Sequence, residues 1–111
     1  MYEYTATNIR CIDGDTIECL TDLGHNVHIQ QKYRLYGINA PEKNRKETRE
    51  AGVASMMHLA QLLDTTQPIV IQTIQDKTEK YGRYLAKLWV AGENINQRMV
   101  ADGFAVPYMV D

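Results

Sequence analysis

Four short stretches of this sequence carry side chains that could act together on a phosphate ester. Asp13-Gly14-Asp15-Thr16 places two carboxylates at a tight turn, where oxygen ligands can hold a hard cation. Arg34 stands inside the β-forming run Tyr33-Arg34-Leu35-Tyr36, on the opposite parity to Leu35, so it faces either solvent or a site. Asn39-Ala40-Pro41-Glu42 ends on a carboxylate, and Glu79-Lys80-Tyr81-Gly82-Arg83 closes a polar loop on a guanidinium. Each is ordinary by itself: Asp-Gly serves hairpin geometry, and a lone arginine before a strand is normally solvated. Together they cover what phosphodiester hydrolysis requires, namely a cation against a non-bridging oxygen, a positioner for water, and donors for charge growing on phosphorus. Arginine suits the last task because its planar fork grips two oxygens and stays charged. Residue types alone do not select this set over another polar cleft.

The elements that must position these groups read as β-β-β-α-β-β-α. Asn8–Ile12 and Thr16–Leu20 flank Asp-Gly as a hairpin, and Val27–Ile38 follows a turn at Asp22-Leu23-Gly24. Pro41 then stops the ladder, having no N–H to donate. Lys46–Leu63 is rich in helix formers, with Ala51, Ser55, Leu59 and Leu62 as a core-facing stripe widened by Val53, Met56 and Met57. Residues 68–72 and 84–90 are β-rich, and Gln75–Gly82 joins them. A short second helix begins at the N-cap Asn94, with Gln97 three residues on. It ends at Gly103, placing Phe104 to fold back on Met99 or Val100. Three meandering strands, a helix and two more strands predict an α+β, mainly β, five-stranded barrel of the OB type over residues 1–111, whose open side often binds oligonucleotides.

With these elements in place, Ile12-Asp13-Gly14-Asp15-Thr16, Tyr33 through Glu42, and Glu79 through Ala86 resemble the three signature stretches of the staphylococcal nuclease family. Asn94-Ile95-Asn96-Gln97, Val100, Gly103-Phe104-Ala105 and Tyr108 are similar to that family's second helix and its exit. The resemblance spans nearly the whole chain, in the same order and with similar spacing; the third, C-terminal helix of the best-known member has no counterpart before Asp111. It implies a calcium-dependent nuclease of low sequence specificity that cleaves the 5′ P–O bond of DNA or RNA. Asp15 and the carbonyl of Ala40 would be calcium ligands, with Asp13 in the outer shell. Glu42 would order or deprotonate the attacking water. Arg34 and Arg83 would stabilise the five-coordinate phosphorus, while Lys80, Tyr81 and Tyr108 would contact substrate.

One position departs from the family pattern. Asn39 stands where a second metal-binding aspartate is expected; its amide oxygen can ligate calcium but brings no charge. Weaker calcium binding follows, with Asp13 able to move in and compensate in part. This substitution also opens a second reading, a nucleic-acid-binding module of the same fold with decayed catalysis. The retained Arg34, Glu42 and Arg83 speak for the enzyme.

Bulk properties bound these readings. The net charge of −2 is unhelpful for a polyanion binder, but segments 32–49 and 77–87 hold ten of the twelve basic residues and three of the fourteen acids. Brought together, they would give a face with a local field that attracts phosphate. Cys11 and Cys19 are too few for a disulfide framework and read as apolar packing. His25, His28 and His58 are scattered, and His58 on its helix reads as packing or solvated rather than as a metal ligand. The first residues have neither a basic n-region nor an apolar h-region, and no run is long enough to cross a bilayer. The expectation is a monomer without membrane contact, cytoplasmic as written, or secreted or periplasmic if a signal was trimmed.

Overall fold

A computed structural model describes residues 2–74 and 84–108. Strand β1 (Tyr2–Asp13) turns at Gly14-Asp15 into β2 (Thr16–Asp22), which pairs antiparallel with β3 (His28–Leu35). A two-residue strand β4 (Ile38–Asn39) leads into helix α1 (Arg49–Leu62), followed by β5 (Ile69–Ile74) and β6 (Tyr84–Val90). Then come β7 (Glu93–Asn94), helix α2 (Ile95–Ala101) and β8 (Val106–Pro107), which bonds to β4.

The barrel is closed. β1 pairs with β2 on one side and with β5 on the other, β5 pairs with β6, and β6 meets β3 in parallel, Tyr33 opposite Tyr84 and Arg34 opposite Leu85. The closing seam is short, β3 meeting β6 among the described residues only over Tyr33–Leu35, so the first residues of β3 pair with β2 alone. β1 serves two neighbours because its register with β2 slips between Thr7 and Arg10, at a bulge where Asn8 takes φ +51°. Asparagine tolerates that backbone better than most residues, and bulges bend strands where a sheet must curl. This bulge hides the early start of β1 from the sequence, where the strand reads only from Asn8. The third predicted strand likewise divides, since Gly37 at φ +81° turns the chain between β3 and β4.

Ile17, Leu35, Leu59, Ile71, Leu88, Ile95 and Met99 are fully buried. Each contributes roughly 1.5–3 kcal/mol of burial. Helix α1 covers the barrel through Gly52, Ser55, Leu59 and the following Leu63, so the predicted stripe holds at 55 and 59 but runs through Gly52 instead of Ala51. Glycine is needed there. A Cβ at 52 would stand 2.5 Å from the backbone nitrogen of Lys43, so the helix seats itself against the segment that carries Glu42. Gly14 makes the corresponding approach to Ser55 and Ala40.

Helix α2 follows the sequence closely. Asn94 Oδ1 accepts the Gln97 N–H at 3.1 Å, and after Gly103 (φ +83°) the Phe104 N–H returns to the Met99 carbonyl at 2.9 Å. The buried Asn96 ties this helix to the barrel: its Oδ1 accepts from Leu88 N–H at 3.1 Å, and its Nδ2 donates to the carbonyls of Tyr36 (2.9 Å) and Ala86 (3.0 Å). Asn96→Ala would take the side-chain partner from the Leu88 N–H and the Tyr36 carbonyl, while the Ala86 carbonyl keeps the Tyr36 N–H at 2.9 Å. A loss of about 2–4 kcal/mol in urea unfolding is therefore expected, where an exposed substitution such as Gln97→Ala stays within about 0.5 kcal/mol.

Candidate active site

The turn after β1, the end of β3 and the β4 segment converge at one end of the barrel. Asp15, 8% exposed, is the hub. Its Oδ2 accepts the Ala40 N–H at 2.9 Å, its Oδ1 accepts the Thr16 hydroxyl at 3.1 Å, and its backbone carbonyl accepts the Leu35 N–H at 2.7 Å. Three segments distant in sequence are thus tied through one residue.

Arg34 lies on the outer face of β3, while its neighbours Tyr33 and Leu35 point into the core. Its guanidinium is enclosed although it is not in the core, the side chain being only 14% exposed. Nη2 donates to Asn39 Oδ1 at 3.3 Å and stands 4.0 Å from Asp15 Oδ2, and the Tyr108 ring lies under the guanidinium carbon at 4.9 Å. Tyr108 is held in turn by its N–H to the Gly37 carbonyl, 2.8 Å. A cation fixed this way is oriented before any anion arrives, which is the condition for stabilising charge without reorganisation.

Asp13 closes the carboxylate side. Its Oδ1 is buried with no hydrogen-bond partner among the described residues. Burial pushes its carboxyl above the usual range; the Lys43 backbone N–H opposes this, and the charges of Asp15 and Glu42 add to it. A buried, unpaired oxygen among like charges is costly unless something positive meets it. Glu42 lies on the rim, exposed, with Arg45 Nε 3.4 Å from its Oε2. Its carbonyl accepts the Thr48 hydroxyl at 2.6 Å, which explains why Thr48 does not cap α1 with its side chain.

The oxygen-rich donor set of Asp15, Asn39, the Ala40 carbonyl and the orphaned Asp13 oxygen suits a hard divalent cation. Among the described residues no three His, Cys, Asp or Glu side chains form a ready-made metal cluster. A cleft of about 470 Å³ opens beside Asn39, Ala40 and Pro41, bounded by Thr48, Phe104 and Val106. A larger one, about 680 Å³, lies between β1 and the end of α1 and contains none of these groups.

Of the residues singled out from sequence, Asp13, Asp15, Arg34, Asn39, Ala40 and Tyr108 come together, with Glu42 at their edge. Lys80, Tyr81 and Arg83 lie outside the described residues. The β3–β6 pairing does bring the two basic segments side by side at Tyr33–Leu35 and Tyr84–Ala86. No described helix is long and apolar enough to cross a membrane. Cys11 and Cys19 are free thiols, Cys11 pushed up to about 11 by burial.

Sequence reasoning passed over a polar cluster joining the helices. His58 Nε2 lies 2.7 Å from Asp102 Oδ2, Arg98 Nε donates to the same oxygen at 2.8 Å, and Arg98 Nη1 reaches both Glu93 oxygens at 3.1 Å. The Asp102 carboxyl is held below the usual range, first by His58 and then by Arg98. A carboxylate with a lowered folded pKa stabilises the fold above its unfolded value, about 3.9, and loses that contribution as pH falls through the folded value. Wild type should therefore be more stable than Asp102→Asn at pH 7. Acid titrations of the two should converge below about pH 4; a gap unchanged down to pH 2 would contradict this.

Two comparisons with known proteins agree on a family. The model for "Staphylococcal nuclease homologue" matches residues 32–111. The chain is 31% identical over 109 residues to a thermonuclease of Staphylococcus hyicus, covering 93% of this chain and 59% of that protein. It is 32% identical over 102 residues to a thermonuclease of Staphylococcus intermedius, covering 86% and 55%. An uncharacterized endonuclease of Haemophilus influenzae is 31% identical over 104 residues, covering 94% and 52%. The chain spans somewhat more than half the length of these relatives.

Proposed function

This chain belongs to the staphylococcal nuclease homologues, and on that premise we propose that it hydrolyses phosphodiester bonds of DNA or RNA with little sequence specificity. The observation that carries the reading is the meeting of Asp15, Arg34, Asn39 and Ala40 through hydrogen bonds between segments distant in sequence. Asp15, Asn39 and the Ala40 carbonyl would hold a calcium ion, with Asp13 in the outer shell. When bound, the ion supplies positive charge against a non-bridging phosphate oxygen. Arg34 grips the phosphate and gains strength as negative charge grows on phosphorus. Glu42, at the water-facing rim, takes a proton from the attacking water as the new P–O bond forms. The bond to the 5′ oxygen breaks, leaving a 3′-phosphate, and the departing oxygen takes up a proton. By family resemblance Arg83 shares the charge, and Lys80, Tyr81 and Tyr108 hold the flanking nucleotide.

A specific observation also supports the second reading, a binding module with weakened catalysis. Asn39 supplies no charge, and its oxygen already accepts from Arg34 at 3.3 Å. Incubating plasmid DNA and a structured RNA with the protein, in calcium and in chelator, separates the two. Calcium-dependent cutting that Glu42→Ala abolishes supports the nuclease. Retention of nucleic acid with no cutting at any calcium concentration supports the binding module, and equal cutting by Glu42→Ala excludes the proposed base.

A further inference from the structure

The segment from Asp102 to Tyr108 links the polar cluster on the two helices to the guanidinium at the site. At its start, Asp102 is bonded to His58 of α1 (2.7 Å) and to Arg98 of α2 (2.8 Å). Two residues on, the Phe104 ring stacks on the His58 imidazole, centroids 4.1 Å apart and planes within 15°, while the Phe104 carbonyl accepts the Ser55 hydroxyl at 2.8 Å. Val106 then pairs with Asn39 in the β4–β8 bridge. At the far end the Tyr108 N–H bonds to Gly37 (2.8 Å) and its ring supports Arg34 at 4.9 Å. One turn of helix, from Ser55 to His58, thus holds the start of a strap whose other end touches the side chain of Arg34 and the backbone of Asn39.

We propose that His58 and Asp102 are positioning residues for the reaction: their bond fixes the Asp102–Tyr108 strap, and the strap fixes the Arg34 guanidinium. The stack on Phe104 makes the imidazole more than a surface ion-pair partner, because it sets ring and carboxylate together and leaves one arrangement for the residues that follow. Among the described residues the Arg34 guanidinium is oriented by Asn39, Asp15 and Tyr108, and the strap contacts two of these three. A displacement of about 1 Å at a reacting group can cost up to 10²-fold in rate, so a remote anchor can govern catalysis without touching substrate.

The inference rests on the nuclease reading for its effect on rate, but not for its effect on geometry, and the test separates them. Full-length His58→Ala and His58→Gln are compared with wild type by side-chain NMR of Arg34 (15Nε) and Tyr108 (ring protons) and by steady-state cleavage of a single-stranded oligonucleotide. In His58→Ala the Arg34 and Tyr108 resonances should move toward solvent-exposed values and kcat should fall about 10- to 100-fold with KM nearly constant. His58→Gln, whose amide N–H reaches the place of Nε2 but which has no ring to stack on Phe104, should restore both in part. If His58→Ala does not fold, Asp102→Asn takes its place, since it keeps the shape of the side chain and weakens the bond. Unmoved resonances in a folded variant that has lost the bond would overturn the proposal, as would a loss of activity through KM alone. Moved resonances in a protein that cuts nothing would leave the strap standing and remove the nuclease reading.

Discussion

Replacing Arg34 with alanine is expected to lower kcat for nucleic-acid cleavage about 10²- to 10³-fold with little change in KM, the cost of removing one fixed donor from a developing anion. The size follows from how little freedom the side chain has. It is 14% exposed, held by Asn39 and Asp15, and set against the Tyr108 ring. Lysine keeps the charge but lacks the planar fork that pairs two oxygens in one fixed geometry, so Arg34→Lys should recover only part of the loss. Arg34 does not contribute to the apolar core, so circular dichroism and thermal midpoint should change little. Single-turnover cleavage at saturating calcium measures the effect on chemistry directly. A variant within threefold of wild type would remove Arg34 from the mechanism.

Asn39→Asp should tighten calcium binding. Ligand charge tunes such sites over orders of magnitude, and a gain of about tenfold to a thousandfold corresponds to roughly 1.4–4 kcal/mol. Two effects compete. The new carboxylate adds charge for the ion, yet it also strengthens the bond already made to Arg34 at 3.3 Å. A hydrogen bond to a charged group contributes about 1.5–3 kcal/mol, enough to hold the gain toward the lower end of that range. Asp15 is already committed to Ala40 N–H and the Thr16 hydroxyl, so a carboxylate at 39 would add a second charged ligand in the inner shell, beside Asp13 in the outer one. Calorimetric titration of calcium in the presence of a nucleoside bisphosphate reads the result. No gain in affinity would refute the explanation of Asn39 as a weakened ligand.

Much of this arrangement was legible in the sequence because local chemistry and global fold agree there. The Asp-Gly turn, the Asn94 cap and the Gly103 exit each follow from one or two residues and appear as predicted. The barrel class followed from element order, and the parity of Arg34 against Leu35 correctly allowed it to leave the core. Other features were not legible because they depend on contacts between distant segments. Nothing local announces that β1 begins at Tyr2 and bends at Asn8, since the bulge exists to serve two partner strands at once. Gly52 reads as a weak point in a helix until the backbone at Lys43 is seen crossing it. His58 and Asp102, forty-four residues apart, carry no motif. The functional readings of Asp15, Arg34 and Glu42 came from family resemblance; their residue types alone were compatible with any polar turn.

The most direct test of the whole account is a crystal structure of the protein soaked with calcium and a nucleoside bisphosphate. The ion should lie about 2.3–2.6 Å from an Asp15 oxygen, with further oxygens from Asn39 or Asp13 and the Ala40 carbonyl. One phosphate should bridge the ion and two guanidinium nitrogens of Arg34, with Glu42 turned from Arg45 toward that phosphorus. A phosphate bound away from Arg34, with Asp15 still closed on Ala40 and Thr16 and no ion beside it, would contradict the account.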